Sequence, residues 1–427
     1  MWPMPLSAIL SAMHHWPAVH IAAPRNLPTD LTAGPQDDFV DRAARARLHE
    51  AATPHEIPGW DHLAAGRSFY VAADWLRFAD TDRLARSQYL GLSDGGRLVA
   101  ALSCHWAPAE IDAAYVAARS LELPSEAPSV GDSAPTLGGR RGFLSGVLIA
   151  PDTENSSAAE NIAELIRRTK SASKWWWPYL LSADVDVVIA AGSKLGGPAD
   201  LGVYLLAADC VIDVVGETVN DHVVALPTRQ RRTNFRREEK RFADSGLEIR
   251  RVSLDEHWPR LGSLLAAVQQ KYGHNQSASE MGTRLRRQWE HLGSRALVFA
   301  CFDGDVIVGF ALAYQWGVEL VLRAVGFDYG KLRGADEYAQ LAVHAPLRYC
   351  YSRGLRRLHL GTASHEAKCR RGARLRPLWA VTSFPGPDPG SFARRVNRIT
   401  ASMPAHESEL FAKQVEQSWR RWTALGA

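Results

Sequence analysis

Hydrophobic and polar positions alternate along this chain in a repeating order of helical and strand-like stretches. PGWDHLAAGRSFYVAADWLRFAD, from Pro58 to Asp80, sets Trp60, Leu63, Phe69, Trp75, Leu76 and Phe78 at helical spacing, which predicts two short helices. SQYLGLSDGGRLVAALSCHWAP follows and reads as strand, Asp-Gly-Gly turn, strand. The Gly/Pro/Ser loop APSVGDSAPTLGGRRG then breaks the pattern before a strand, FLSGVLIAP. SSAAENIAELIRRTKSASKWWWPYL predicts a helix opened by serines and stopped before Pro178, and DVDVVIAAG predicts a buried strand.

The second half repeats this order. RQRRTNFRREEKR predicts a helix that leads into GLEIRRVS, and the Leu- and Trp-rich stretch from Trp258 to Leu292 predicts further helices. RALVFACFDGDVIVGFALAYQWGVELVLRAVGFDY predicts a three-stranded antiparallel meander ending at Tyr329, with a turn at Asp303-Gly304-Asp305. The loop GKLRGA leads to the helix DEYAQLAVHAPLRYCYSRG, whose Asp336 and Glu337 favour its start and whose Gly354 can stop it. The strand LRRLHLG then delivers the chain to Lys368. Two tandem copies of one α+β plan are therefore expected: an N-terminal arm over 1–40, a first copy over 41–224, a second over 225–390 and a helical tail over 391–427. The boundary falls in ALPTRQ, Ala225 to Gln230.

Composition changes this picture little. With 427 residues, 46% of them hydrophobic, 22% charged and fourteen Trp, the chain can build more than one core. No stretch reaches the ~20 uninterrupted apolar residues of a membrane helix, and the opening segment lacks the basic start of a signal peptide. A cytoplasmic monomer without stable membrane insertion is expected. The five cysteines are odd in number, scattered and without a CxxC pair, which argues against a disulfide framework and a metal site.

Charge is more informative in its distribution than in its sum of +4. Arg229 to Arg241 holds seven cations, among them Arg231, Arg232, Arg236 and Arg237, against two glutamates. A second cationic cluster, Lys368, Arg370, Arg371, Arg374 and Arg376, lies far away in sequence. A solvated helix face explains the first cluster alone; convergence of both on a polyanion explains the pair. Lys368 itself stands out, because only eight of the fifty Lys and Arg residues are lysine.

The order helix, hairpin with Asp-Gly turn, third strand, loop, helix, strand resembles the Gcn5-related N-acetyltransferase (GNAT) fold. More narrowly, IPGWDHL, SFYVAADWL, RQRRTNFRREEKRFADSGLEI, DGDVIVGFALAY, GFDY and LHLGTASHEAKCRRGA resemble the FemXAB and peptidoglycan-synthesis group, which carries two such domains in tandem. The resemblance covers most of residues 55 to 380. In that group a strand-ending Gly is followed shortly by a Lys, often as Phe-Lys; Gly361 and Lys368 match, and Ala367 departs from the aromatic.

The resemblance implies an enzyme that transfers an aminoacyl or acyl group to an amine, with aminoacyl-tRNA as donor in the best-known members and no bound cofactor. The second copy is then the catalytic one. A lysine ammonium at position 368 suits a developing oxyanion or a terminal tRNA phosphate, where the planar arginine fork suits other geometry. His365, Glu337 and Asp328 are the candidate proton acceptors, each with an ordinary capping or surface role as the alternative, and substrate-assisted transfer needs none of them. Tyr272, His274, Arg323, Tyr329 and Gly361 are candidate substrate contacts, with packing the commoner role for Tyr272. Arg231, Arg232, Arg236, Arg237, Arg370 and Arg371 are the candidate tRNA contacts. GNAT enzymes that use acetyl-CoA carry a Gln/Arg-x-x-Gly-x-Gly/Ala loop that offers N–H groups to the pyrophosphate. This chain has KLRGADEY there and DTENSSAAEN in the first copy, which favours tRNA over acyl-CoA as donor. An acyl-CoA-dependent N-acyltransferase and a non-catalytic RNA-binding relative are the competing expectations.

Overall fold

The computed structural model describes residues 47–423 apart from 111, 124–133, 170–173 and 198–199. The arm expected over 1–40, part of the Gly/Pro/Ser loop and the last four residues lie outside the described residues.

Thirteen strands form one mixed sheet, and their chain order explains its shape. They are β1 (Arg47–Ala51), β2 (Arg86–Asp94), β3 (Arg97–Trp106), β4 (Thr136–Leu137), β5 (Leu148–Ile149), β6 (Trp176–Leu180) and β7 (Gly202–Asp213) in the first half. The second half supplies β8 (Glu248–Val252), β9 (Ala296–Asp303), β10 (Val306–Trp316), β11 (Glu319–Phe327), β12 (Arg357–Gly361) and β13 (Arg374–Thr382). The spatial order is β1-β2-β3-β4-β6-β13-β7-β12-β11-β10-β9-β8, with β5 paired to β3. Thus β13, from the second half, inserts between β6 and β7, and β12 pairs with β7. The two halves share one sheet, and the described residues form one compact unit.

Both faces of that sheet are covered. Along β10, Phe310, Leu312 and Tyr314 join one core and Ala311 and Ala313 the other, as the period of two in a strand requires; before the register shift between Ile307 and Gly309 the parity is reversed, so that Ile307 joins the first core and Val308 the second. The first core lies under helices Trp60–Ala64, Ala73–Ala79, Leu254–Lys271 and Ala278–Leu292 and runs through both halves. Opposite it, Asn155–Arg168, Ser182–Gly196 and Ala405–Thr423 cover the first half, and Val219–Ala225, Arg229–Asp244 and Ala345–Ser352 cover the second. Burying an aromatic such as Phe310, with no exposed surface, contributes about 1.5–3 kcal/mol.

The paired short helices, the Asp-Gly-Gly hairpin, the basic helix and the meander form as the sequence pattern predicts. Several local expectations are corrected. The helix expected to reach Pro178 ends at Arg168, and Trp176–Leu180 is a fully buried strand. Its proline is tolerated because the β6–β13 register shifts between Trp379 and Val381, beside Pro178 and Tyr179, where a ladder N–H is not required. DVDVVIAAG lies within the helix Ser182–Gly196: Asp184, Val185, Val188, Ile189, Ala191 and Gly192 are its buried residues, spaced one helical face apart. Packing on the sheet overrides the strand preference of its valines. FLSGVLIAP contributes only the two residues of β5. β1, β4, β7 and β13 had no sequence expectation as strands, and β7 and β13 carry the centre of the sheet.

Candidate active site

The site begins where two parallel strands part. β11 and β12 pair only over Glu319–Val321 and Arg357–His359. Beyond that, β12 follows β7 while β11 stays with β10, and a cleft of about 350 Å³ opens between them. Each lip carries a bulge. On β11 the register shifts so that Leu312 faces Ala324 and Ala313 faces Leu322, leaving Arg323 as the extra residue, aimed by the bulge at the cleft. On β12 the register passes from His359 opposite Val211 to Gly361 opposite Cys210, which leaves the Leu360 carbonyl out of the ladder.

That carbonyl is where Lys368 goes. The segment expected to be a basic loop folds into one helical turn, His365–Cys369, beneath the end of β12. Lys368 is 4% exposed, lines the cleft, and its Nζ donates to the Leu360 carbonyl at 2.6 Å and towards the Gly361 carbonyl at 3.4 Å. Gly361, at φ +77°, makes the turn that brings these carbonyls round. Burial depresses the lysine's pKa, and the neighbouring Cys210, Asp209 and Cys369 oppose that effect.

Beside Lys368 lies a buried polar network that sequence reasoning missed. His359 Nε2 is 2.7 Å from Glu319 Oε2, its Nδ1 is 3.6 Å from Asp209 Oδ2, and Arg376 Nη2 donates to Asp209 at 2.6 Å. Burial works against a charged His359, but bonds to Asp209 and Glu319 outweigh it and raise the pKa. Burial likewise opposes an ionised Asp209; His359 and Arg376 reverse this and hold the carboxyl below its usual range. The available signal was an Asp inside the apolar run LLAADCVI and a His between the leucines of LHLG.

The opposite wall comes from β11 and the helix Ala278–Leu292. Arg323, Arg284, Gln288, Tyr70, Phe143 and Leu144 line it, so the first half contributes directly. Tyr272 (67% exposed) and Tyr329 (40% exposed) stand at the rim, with the Lys271 ammonium 4.2 Å from the centre of the Tyr329 ring. Tyr272 is therefore a rim residue rather than a packed one. His274 is exposed and does not line the cleft.

The three candidate proton acceptors are each engaged elsewhere. His365 is buried and has Nδ1 2.9 Å from Ser402 Oγ and Nε2 3.2 Å from the Ala208 carbonyl, away from the cleft lining. Asp328 accepts from Arg260 Nη2 at 2.9 Å. Glu337, 4% exposed, accepts the backbone N–H of Arg333 at 2.6 Å and of Ala335 at 3.0 Å, so the turn around Gly334 wraps a carboxylate of its own chain.

The two basic clusters meet. The helix Arg229–Asp244 and the turn His365–Cys369 flank a second cavity of about 320 Å³, lined by Arg231, Arg237, Arg241, Arg370 and Arg371 with Glu238, Asp336 and Glu366. Part of this charge is spent inside the protein. Arg371 makes a bidentate pair with Glu238, Arg370 pairs with Glu366, and Arg231 bonds Glu407 and the Cys369 carbonyl. Arg232 donates to the Leu226 carbonyl at 2.7 Å. Arg229, Arg236 and Arg237 are exposed, and none has a carboxylate within 4.0 Å among the described residues.

Residues 229–368 match the family model described as an acetyltransferase (GNAT) domain. No curated protein matches the chain. Among solved structures, one described as the crystal structure of FemX is 9% identical at a TM-score of 0.55, across 79% of this chain and 97% of that one. A tandem GNAT protein from the clavulanic acid biosynthesis pathway is 13% identical at 0.42, across 79% and 99%. The C-terminal domain of a putative lysylphosphatidylglycerol synthetase from Agrobacterium fabrum is 10% identical at 0.42, across 61% and 80%. The fold is thus the α+β fold of the GNAT acyltransferases, carried as two GNAT-like halves. Within that class the chain resembles the FemX-like group.

Proposed function

We propose that this protein is an amide-forming aminoacyltransferase that moves an aminoacyl group from aminoacyl-tRNA to a small-molecule amine, with the cleft at the end of β12 as its active site. The observation that carries the choice of donor is the bonding of Glu337. Backbone N–H groups at a helix start are the usual cradle for a diphosphate. Here the Arg333 and Ala335 N–H groups are already taken by a buried carboxylate, which would repel a second anion. An acyl-CoA diphosphate has no ready seat on this loop. The exposed Arg237, which lines the second cavity, and the exposed Arg229 and Arg236 of the same helix suit a phosphate backbone.

In this reading the acceptor nitrogen attacks the ester carbonyl, a C–N bond forms, the C–O ester bond breaks, and the amine proton ends on the departing ribose oxygen. Lys368 directs its ammonium to two carbonyls and keeps one of three donors for charge developing in the cleft. The engagement of His365, Asp328 and Glu337 favours transfer of the proton through the substrate itself or a bound water.

The test incubates the protein with a mixture of charged tRNAs and a panel of amines and follows RNase-sensitive amide formation. Loss of the aminoacyl group to an amine supports the reading. Calorimetry with acetyl-CoA supplies the counter-test: a dissociation constant in the low micromolar range, about −8 kcal/mol, puts the acyl-CoA-dependent N-acyltransferase first.

A further inference from the structure

Two arginines on the β11 wall of the cleft lack the partner that a half-buried cation ordinarily has. Arg323 donates once, from Nη2 to the Arg141 carbonyl at 3.3 Å. Its guanidinium carbon lies 5.4 Å from the centre of the Trp75 ring, and its Nε is buried with no hydrogen-bond partner. Arg284 faces the same space from the helix Ala278–Leu292. No carboxylate among the described residues lies within 4.0 Å of either guanidinium. The contrast with their neighbours is sharp. Arg140 and Arg141, more deeply buried, are paired with Asp82, Glu110 and Asp112, although the Nε of Arg140 is also without a hydrogen-bond partner. Asp209, the one carboxylate that lines the cleft, is held by Arg376.

Two half-buried cations that line one cleft, with no carboxylate among the described residues within 4.0 Å of either, raise the energy of the site. Burial, then repulsion from Arg323 and Arg141, lowers the Arg284 pKa to about 10 against a weaker opposing pull from Asp112 and Asp82. An oxyanion between the two would satisfy the orphaned Nε, relieve the repulsion and accept the paired N–H geometry that guanidinium offers to carboxylate and phosphate.

We propose that Arg284 and Arg323 form an anion subsite for the acceptor, so that the amine substrate also carries a carboxylate or phosphate. The assignment rests on the transferase reading above. The pair sits on the wall opposite Lys368, shared with Tyr70, Phe143 and Leu144 of the first half, so the anion anchors one end of the acceptor while its nitrogen points to the floor of the cleft. The two sources of the anion share one chemistry and are separated by the choice of probe.

The experiment measures binding without any donor, by calorimetry or ligand-detected NMR at low salt. The probes are β-alanine, phosphoethanolamine, ethanolamine and AMP, and the proteins are wild type, Arg284→Gln and Arg323→Gln, each first checked for an unchanged melting curve. The expected result is millimolar or tighter binding of β-alanine or phosphoethanolamine, at least tenfold weaker binding of ethanolamine, and at least a tenfold loss in either variant. Whichever anionic amine binds more tightly names the source. Equal binding of charged and neutral amines, no binding of either anionic amine, or wild-type affinity in both variants overturns the proposal. AMP binding that alone depends on the pair assigns it to the donor and overturns it as well. Because no tRNA is present, failure of the donor reading leaves this outcome readable, and tRNA-dependent transfer to neutral amines as fast as to anionic ones overturns only the subsite.

Discussion

The Lys368 ammonium donates to the Leu360 carbonyl across 2.6 Å, and the β12 bulge leaves that carbonyl without a strand partner. The same bond therefore closes the end of a strand and fixes a cation at the floor of the cleft. It also accounts for a lysine in an arginine-rich chain: a compact point charge fits between two carbonyls under a sheet, and a planar fork with five donors does not.

Lys368→Ala is expected to lower turnover by about a hundredfold or more, the scale of a lost oxyanion contact. From the sequence alone the fold would be unaffected; burial changes that expectation. The variant leaves the Leu360 carbonyl unpaired, so stability should also fall by about 1–3 kcal/mol. Single-turnover transfer, corrected for the folded fraction by a melting curve, separates the two effects. Full activity in Lys368→Arg would remove the special chemistry assigned to this lysine.

Transfer should decline on the alkaline side earlier than an ordinary lysine would dictate, because burial lowers the Lys368 pKa and the ammonium is lost as pH rises through that depressed value. A pH profile of single-turnover rate checks this. A rate that stays flat up to about pH 10, the ordinary lysine range, contradicts it.

Arg229→Ala, Arg236→Ala and Arg237→Ala together should weaken tRNA binding and flatten its salt dependence by up to three units of log–log slope, roughly one per lost phosphate contact. Arg231 and Arg232 are excluded from this set because they bond the Cys369 and Leu226 carbonyls, so their loss would disturb the packing of the helix. Filter binding across a salt series decides it, and an unchanged slope would assign the helix to solvent alone.

Stability should depend on Asp184 in the acid range. Burial raises its carboxyl pKa to about 6, against the opposing pull of Arg67 and the Val147 amide. A raised carboxyl favours the protonated form in the folded state, so the fold bears a penalty above pH 6 that is relieved as pH falls from about 6 towards the unfolded value near 4. Asp184→Asn should remove that dependence and gain on the order of 2 kcal/mol at pH 7. Parallel melting of both proteins between pH 4.5 and 7.5 measures the difference, and curves of the same shape refute the assignment.

Much of the second half was legible because its signals are local. The Asp303-Gly304-Asp305 turn and the alternation around it specify the meander, and seven cations around one buried Phe235 specify a solvated helix with a narrow apolar contact. Gly361 followed by Lys368 was readable as a pair from the pattern of a family. The first half was less legible. Val185, Val188 and Ile189 favour a strand by composition and become a helix because the sheet offers them one face to pack against.

What the sequence determined by itself was the α+β class and the order of elements from Ala296 to Gly361, which follow from periodicity and turn chemistry within short windows, and a lysine that composition marks as unusual and the family resemblance pairs with a strand-ending glycine. Only the tertiary structure decided the rest, because it depends on partners distant in the chain. β13 crosses into the first half and β12 pairs with β7, and this long-range pairing parts β12 from β11 to open the cleft. It buries Lys368 against Leu360, places Asp209 beside His359, turns His365 towards Ser402, and leaves Arg284 and Arg323 lining the cleft with no carboxylate of the described residues within 4.0 Å of either. No window of sequence contains those distances; burial and the closing of one sheet from two halves set them.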